Sequence, residues 1–468
     1  MDEVRENDRP GDDGPLTSKN LSRREFLKMA GIAGAAVAVG AGLGGLVAAC
    51  GENGETTTTA GGVTTTAGGV STTTGGVTTT AGGAAKDKVR VGYVDSDTGV
   101  FAPGPLLWGG IWIDVLIAEY NANGGLNVPE YGKKVPIELV KYDSASDTET
   151  LIRLTEKAMT EDKVDLMIAP WGTSQCFAVY PLYDKYEYPF VATAMGSGQI
   201  VDMIQAGGAK WAFPALPQPP FGAKYTADFL ESVKPTAIGI IGINDLHGIE
   251  WTGRVQSELA ARNMPVVVGP ELYPLSVADL SPIIKKLQEA NVDCLWASTY
   301  PADGTLLVKQ SMELGFSPRV MIMGPGSQYP LVMLPTFGVQ AVTGIMEYHG
   351  FEVDFSTKPE LMALADKYKA VAGGTPGPNT IAAYVANDVM FKAVEKVGLD
   401  RTKVRDSLHN DTFETILGPT KWNWENVYLD APGAGYLTQW QGKEILQVVW
   451  PPDRASAPWI PKPAWPAA

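Results

Sequence analysis

Asp165-Leu166-Met167-Ile168-Ala169-Pro170-Trp171-Gly172-Thr173-Ser174 holds a strand, a turn and the start of a helix in ten residues. The apolar run after Asp165 suits a short strand, and Pro170 and Gly172 interrupt it. Thr173 and Ser174 are residue types that cap helices, and Phe177 and Val179 lie in the helix that follows. The same strand-then-helix order recurs along the chain. Short β-branched runs predict strands at 89–94, 136–143, 165–169, 190–193, 237–243, 266–269, 293–298, 320–324 and 344–348. A helix is expected over 107–121, with Leu107, Ile111, Val115 and Ala118 on one face. Another is expected from Ser146-Asp147-Thr148-Glu149, read as a capping box, through Leu151, Leu154 and Ala158. Alternating strands and helices imply an α/β fold of parallel sheets with helices on both faces. The roughly 380 residues from Lys88 onward exceed what one such sheet usually holds, so two lobes are expected. The stretch Phe213-Pro214-Ala215-Leu216-Pro217-Gln218-Pro219-Pro220 suits the first crossing between them.

The N-terminal part has a different composition. Ser22-Arg23-Arg24-Glu25-Phe26-Leu27-Lys28 is a paired-arginine export signal, and Val47-Ala48-Ala49-Cys50 ends it as a lipoprotein cleavage box. Met29 to Ala49 carries no charge and is long enough to cross a bilayer, but six glycines make it weakly apolar. Cleavage is expected, leaving Cys50 lipidated and the protein tethered outside the cytoplasm. Within this segment Gly40-Ala41-Gly42-Leu43-Gly44-Gly45 matches a dinucleotide-binding glycine pattern, but no strand precedes it, so the match carries no meaning. Residues 52–85 repeat Thr, Ala and Gly units and have no core-forming periodicity. As a flexible tether of 34 residues they reach roughly 30–35 Å.

Residues 1–49 hold six of the 37 Lys and Arg and seven of the 52 Asp and Glu, which leaves 31 and 45 and a net charge near −14. An acidic body disfavours nucleic acid and anionic membrane surfaces as partners. Cys176 and Cys294 form no CxxC pair and are expected as free, buried thiols.

A set of ordered landmarks then resembles the leucine/isoleucine/valine-binding family of type I periplasmic solute-binding proteins. They are Val91-Gly92-Tyr93-Val94, Thr98-Gly99, Trp108-Gly109, Asn121-Ala122-Asn123-Gly124-Gly125-Leu126 and Tyr142-Asp143-Ser144. Pro170-Trp171-Gly172-Thr173-Ser174, Pro189-Phe190-Val191-Ala192-Thr193, Met323-Gly324-Pro325, Gly418-Pro419 and Tyr436-Leu437-Thr438-Gln439-Trp440 complete the set. The resemblance covers roughly 88–450. It implies two Rossmann-like lobes with parallel sheets, joined by a hinge that the chain crosses three times, with ligand enclosed between them. One lobe is expected from 88–213 and 349–412, the other from 214–348 and 413–468, in a monomer without cofactor or metal.

Open parallel sheets bind ligands beyond the carboxyl ends of their strands, and the loop at Trp171, Thr173 and Ser174 lies there. Free N–H groups at a helix start, with hydroxyl donors, suit a carboxylate. Thr173 or Ser174 is equally suited to capping the helix, and one residue can do both. Thr193, Ala194 and Ser197 resemble the family's second carboxylate-binding segment. Trp108 falls where the family often has an aromatic wall, or else packs in the core. On the opposite lobe His247 stands where relatives commonly carry an aromatic, as a ligand contact or a solvated loop residue. Tyr300 resembles a cleft tyrosine that closes over ligand against Trp171. Amino-acid-binding relatives present an acid after Gly-Pro to hold the ligand's ammonium; here Gly326-Ser327-Gln328-Tyr329 follows Gly324-Pro325. An unpaired buried ammonium is costly, so either Asp97 or Asp303 substitutes, or the ligand has no ammonium. Asp95-Ser96-Asp97-Thr98-Gly99 lacks the later acidic ligands of a calcium loop. The function expected is a lipid-anchored receptor that delivers a small amino-acid-like, carboxylate or amide solute to the permease and ATPase of an ABC importer. A sensing receptor on the same scaffold is the alternative. An exported hydrolase is disfavoured, because no Gly-x-Ser-x-Gly elbow follows a strand and there is no HExxH.

Overall fold

A computed structural model describes residues 86–351 and 353–466. The export signal, Cys50 and the Thr/Gly tether lie outside the described residues. The first sheet has Val89–Asp95 at its centre, parallel to Ile137–Asp143 on one side and Leu166–Ile168 on the other. Val91 pairs with Leu139 and with Leu166, so the opening strand is hydrogen-bonded along both edges. Phe190–Ala192 and Ala212–Pro214 form a second parallel pair beside Leu166–Ile168. The second lobe is a seven-stranded sheet. Its parallel part runs Val266–Tyr273, Ile238–Ile243, Cys294–Thr299, Val320–Pro325, Ile345–Phe351. Ala434–Trp440 and Leu446–Trp450 add antiparallel strands at one edge. Burial on both faces explains why these strands read as unbroken apolar runs: all six residues of Ile238–Ile243, Cys294–Thr299 and Val320–Pro325 are buried. Trp251 and Trp296 both pack on Tyr348, with ring centroids 4.7 and 4.8 Å away, at the centre of this lobe's core. Cys176 and Cys294 are buried and free.

The chain leaves the first lobe after Pro214 and enters helix Pro219–Val233, which packs on helix Leu246–Ala261 of the second. It returns after Phe351, where helix Pro359–Ala372 packs on Ile111–Ala122. The expected second-lobe segment 413–468 needs correction in its first part. Strands Phe413–Thr415, Gly418–Asn423 and Tyr428–Asp430 form their own sheet against helices Ile381–Val397 and Arg401–Asn410, on the first-lobe side. Trp422 Nε1 donates to Pro214 O at 2.9 Å, and Leu429 N to Ala215 O at 3.1 Å, so this last passage braces the first.

Two local expectations also change. The helix over 107–121 contains a π-turn, Leu106–Gly110, before Ile111–Ala122. The wider turn shifts the helical phase, so Trp112, Ile113 and Leu116 are buried and Ala118 is exposed. The box at 146–149 does not form: Asp147 caps helix Thr148–Thr160 by accepting from Thr150 N at 2.8 Å. Ser146 instead holds the 98–101 loop, accepting from Phe101 N at 3.0 Å and donating to Thr98 O at 2.7 Å.

Candidate functional site

Strand ends from both lobes meet at a small, nearly filled cavity of about 20 Å³ lined by Trp108, Trp171, Gly172, Thr173, Ala194 and Gly196 from the first lobe. Leu216 lines it from the crossing, and His247, Tyr300 and Pro325 from the second lobe. The first-lobe wall begins where Leu166–Ile168 stops. Gly172 sits at φ 98°, a conformation that side-chain-bearing residues rarely adopt, and it is the residue before helix Thr173–Lys185. Neither Thr173 nor Ser174 caps that helix; both lie in its first turn. The Thr173 hydroxyl accepts from Gly196 N at 3.1 Å and stands 3.4 Å from His247 Nδ1, linking the lobes. Ser174 turns its hydroxyl to Asp245 across the cleft.

Trp171 and Tyr300 come from opposite lobes and meet edge to face, their ring centroids 4.9 Å apart. Each is fixed on its own lobe. Trp171 N donates to Asp95 Oδ2 at 2.9 Å. Tyr300 donates its phenol to Asp245 Oδ2 at 2.5 Å and its N–H to Asp303 at 3.1 Å. Burial pushes the Asp95 carboxyl up to about 7, Asp245 to about 6 and Asp303 to about 7, although the hydrogen bonds they accept oppose the shift. These carboxyls sit behind the aromatic walls; none of the ten lining residues is an acid.

Trp108 is buried in the π-turn, its indole Nε1–H has no hydrogen-bond partner among the described residues, and the residue lines the cavity. His247 is buried rather than solvated, in the first turn of helix Leu246–Ala261, whose cap Asp245 accepts from Gly248 N at 2.9 Å. Two helices of opposite lobes therefore start at the cavity, at Thr173 and beside His247. The dipole and first-turn N–H groups of the helix at Thr173 make that end favourable to an anion, while the first turn beside His247 already donates to Asp245.

The remaining expected residues stand elsewhere. Ala194 lines the cavity, and Thr193 is buried beside it without lining it. Ser197 caps helix Gly198–Gln205 and donates to Glu250 Oε1 at 2.6 Å, joining the lobes instead of facing the cavity. Gly198 N also donates to Glu250, whose carboxyl burial pushes upward. Asp97 is exposed and paired with Lys141 Nζ at 2.9 Å. Asp303 accepts from Tyr273 Oη at 2.6 Å and caps helix Pro301–Leu314. Neither acid reaches the cavity to replace the missing ammonium partner. Leu216 and Pro325 were not singled out from the sequence, although both sit in segments that were. Asp95, Asp245 and Glu250 carried no local signal, because their roles depend on which chain segments fold against them. Among the described residues no cluster of three His, Cys, Asp or Glu is placed to hold a metal.

Residues 88–444 match the family model for periplasmic binding proteins, and 20–40 match that for twin-arginine translocation signals. A leucine/isoleucine/valine-binding protein homolog of Brucella abortus is 22% identical over 294 residues, 60% of this chain and 70% of that protein. Among solved structures, a branched-chain amino acid transporter substrate-binding protein of Streptococcus pneumoniae, in complex with isoleucine, superposes with a TM-score of 0.64 at 17% identity. The match covers 80% of this chain and all of that one. A solute-binding protein of an ABC transporter from Rhodopseudomonas palustris, in complex with 3,4-dihydroxybenzoic acid, gives 0.63 at 18% identity, covering 81% and 99%. The chain belongs to the periplasmic binding protein family, with the two-lobed type I fold, and its twin-arginine signal indicates an extracytoplasmic location.

Proposed function

We propose that the chain captures a small carboxylate with an apolar, preferably aromatic, body and delivers it to an ABC importer. The cavity carries this reading: Trp108, Trp171, Tyr300, Leu216 and Pro325 supply carbon walls, and the helix start at Thr173 supplies donors. Among the described residues none that lines the cavity offers a negative charge to an ammonium group. A zwitterionic amino acid would bury its cation unpaired there, at a cost of several kcal/mol. A carboxylate without an amine meets Thr173, the first-turn N–H groups and the Trp108 indole N–H. Hinge closure brings Trp171 and Tyr300 together behind it. One structural neighbour holds 3,4-dihydroxybenzoic acid and another isoleucine, so the scaffold accommodates either class and the lining of the cavity is what supports this one.

The export signal, the box ending at Cys50 and the Thr/Gly tether support a lipid anchor that keeps the receptor near its permease. Cys50→Ala is expected to move the protein from the membrane fraction to the soluble one. Thermal unfolding against amino acids, amides and carboxylates tests the ligand class. A ligand at a thousandfold excess over its Kd adds about 4 kcal/mol of stability. Aromatic or branched carboxylates are expected to give that shift and leucine none. Stabilisation by amine-bearing acids alone overturns the reading.

A further inference from the structure

A second chamber, of about 340 Å³, lies between the lobes beside the cavity. Its first-lobe wall is the 99–104 loop, with Val100 and Phe101; its second-lobe wall includes Leu275, Val277 and Ala302. Trp171 and Tyr300 line both spaces, so the partition between them is one ring from each lobe. Neither ring is placed to swing aside. Trp171 lies flat on the Gly104 backbone, and Tyr300 is held by Asp245. A small opening of the hinge separates the rings without any change of rotamer. The degree of closure therefore decides whether there are two spaces or one.

The chamber offers little to a charged occupant. Among the described residues no Lys, Arg or His lines it, and the one carboxylate that does, Asp303, is already accepting from Tyr273 and Tyr300. Its walls are largely hydrocarbon, and Val100 is left 56% exposed at its edge. Such a surface gains by covering itself with apolar groups. The walls it shares with the cavity single out the occupant: the far end of a molecule whose head is already in the cavity.

We infer that the 99–104/275–277 chamber is a tail subsite and that the cargo is an amphiphilic monocarboxylate. Its head sits by Thr173 and His247, and its apolar tail passes between Trp171 and Tyr300. This rests on the carboxylate reading above and adds a length requirement to it. A long ligand holds the lobes slightly further apart than a short one.

The probes are benzoate, which has no group beyond its one ring, and biphenyl-4-carboxylate, which adds a second ring along the same axis. Calorimetric titration of the mature chain is expected to show biphenyl-4-carboxylate binding about tenfold tighter or more. Ala302→Trp, at an exposed position, and separately Val277→Trp, fill the chamber from the second lobe. Each is expected to remove that advantage while changing benzoate affinity less than about twofold. Equal wild-type affinities, or tryptophans that weaken both probes alike, overturn the tail subsite and leave the carboxylate receptor standing. Failure of both probes to bind overturns the two together.

Discussion

Gly104→Ala tests how the Trp171 wall is held. Gly104 sits in the short helical turn Pro103–Pro105, and a β-carbon built on it would stand 2.5 Å from Cζ3 of Trp171, and closer still to Cε3 and Cδ2. Carbon atoms pack at about 3.5–4.0 Å, so the indole must move by about 1 Å or more. It has little room: the ring is buried, meets Tyr300 on one side, and its backbone N–H is committed to Asp95. Overpacking of this kind costs about 1–3 kcal/mol. Helical propensity works the other way, because Ala is favoured over Gly by about 1 kcal/mol in a helix. The net expectation is a loss of up to about 2 kcal/mol in urea unfolding. Displacing the wall toward the cavity also costs ligand affinity, about tenfold or more for any carboxylate that binds. A variant as stable as wild type with unchanged affinity would refute the claim that Gly104 exists to seat Trp171.

Trp171→Ala is expected to abolish measurable binding of such a ligand, and Thr173→Ala to weaken it about tenfold, through one lost hydroxyl, with circular dichroism unchanged; calorimetry decides, and unchanged affinity in both removes this loop from the site. Burial raises the Asp245 carboxyl to about 6, above the ordinary carboxylate value of 3.8, so its contribution to stability is full below about pH 4 and is lost as pH rises through 6. Asp245→Asn keeps an acceptor for Tyr300 and is expected to gain on the order of 2–3 kcal/mol relative to wild type at pH 8 and little at pH 4, read from urea midpoints. A difference independent of pH contradicts the buried-carboxyl account. Glu250→Gln weakens the clasp on Ser197 and Gly198 across the lobes, and small-angle scattering of the unliganded protein should report a more open average shape.

Much of this was legible in the residues, for identifiable reasons. Strands buried on both faces are written as local apolar runs, so 237–243 and 293–298 were placed within a residue of Ile238–Ile243 and Cys294–Thr299. Trp171 and Tyr300 were legible because they follow strand ends, where chain topology alone brings ligands. Polar roles were harder. Ser197, Asp97 and Asp303 have the right chemistry for a ligand, but each is taken by a partner distant in sequence: Glu250, Lys141 and Tyr273. Ser146 lost its cap to Asp147 because the 98–101 loop folds over it. The π-turn at Leu106–Gly110 breaks the very periodicity from which a helix face is read.

The central claim is that the closed cleft holds a carboxylate without an amine. Mass spectrometry of small molecules released by denaturing the purified mature protein tests it most directly, with Trp171→Ala as the matched control. The account predicts one monocarboxylic acid lacking an amine, near one per chain in wild type and depleted in the variant. An amino acid recovered at the same ratio from wild type and absent from the variant would contradict it.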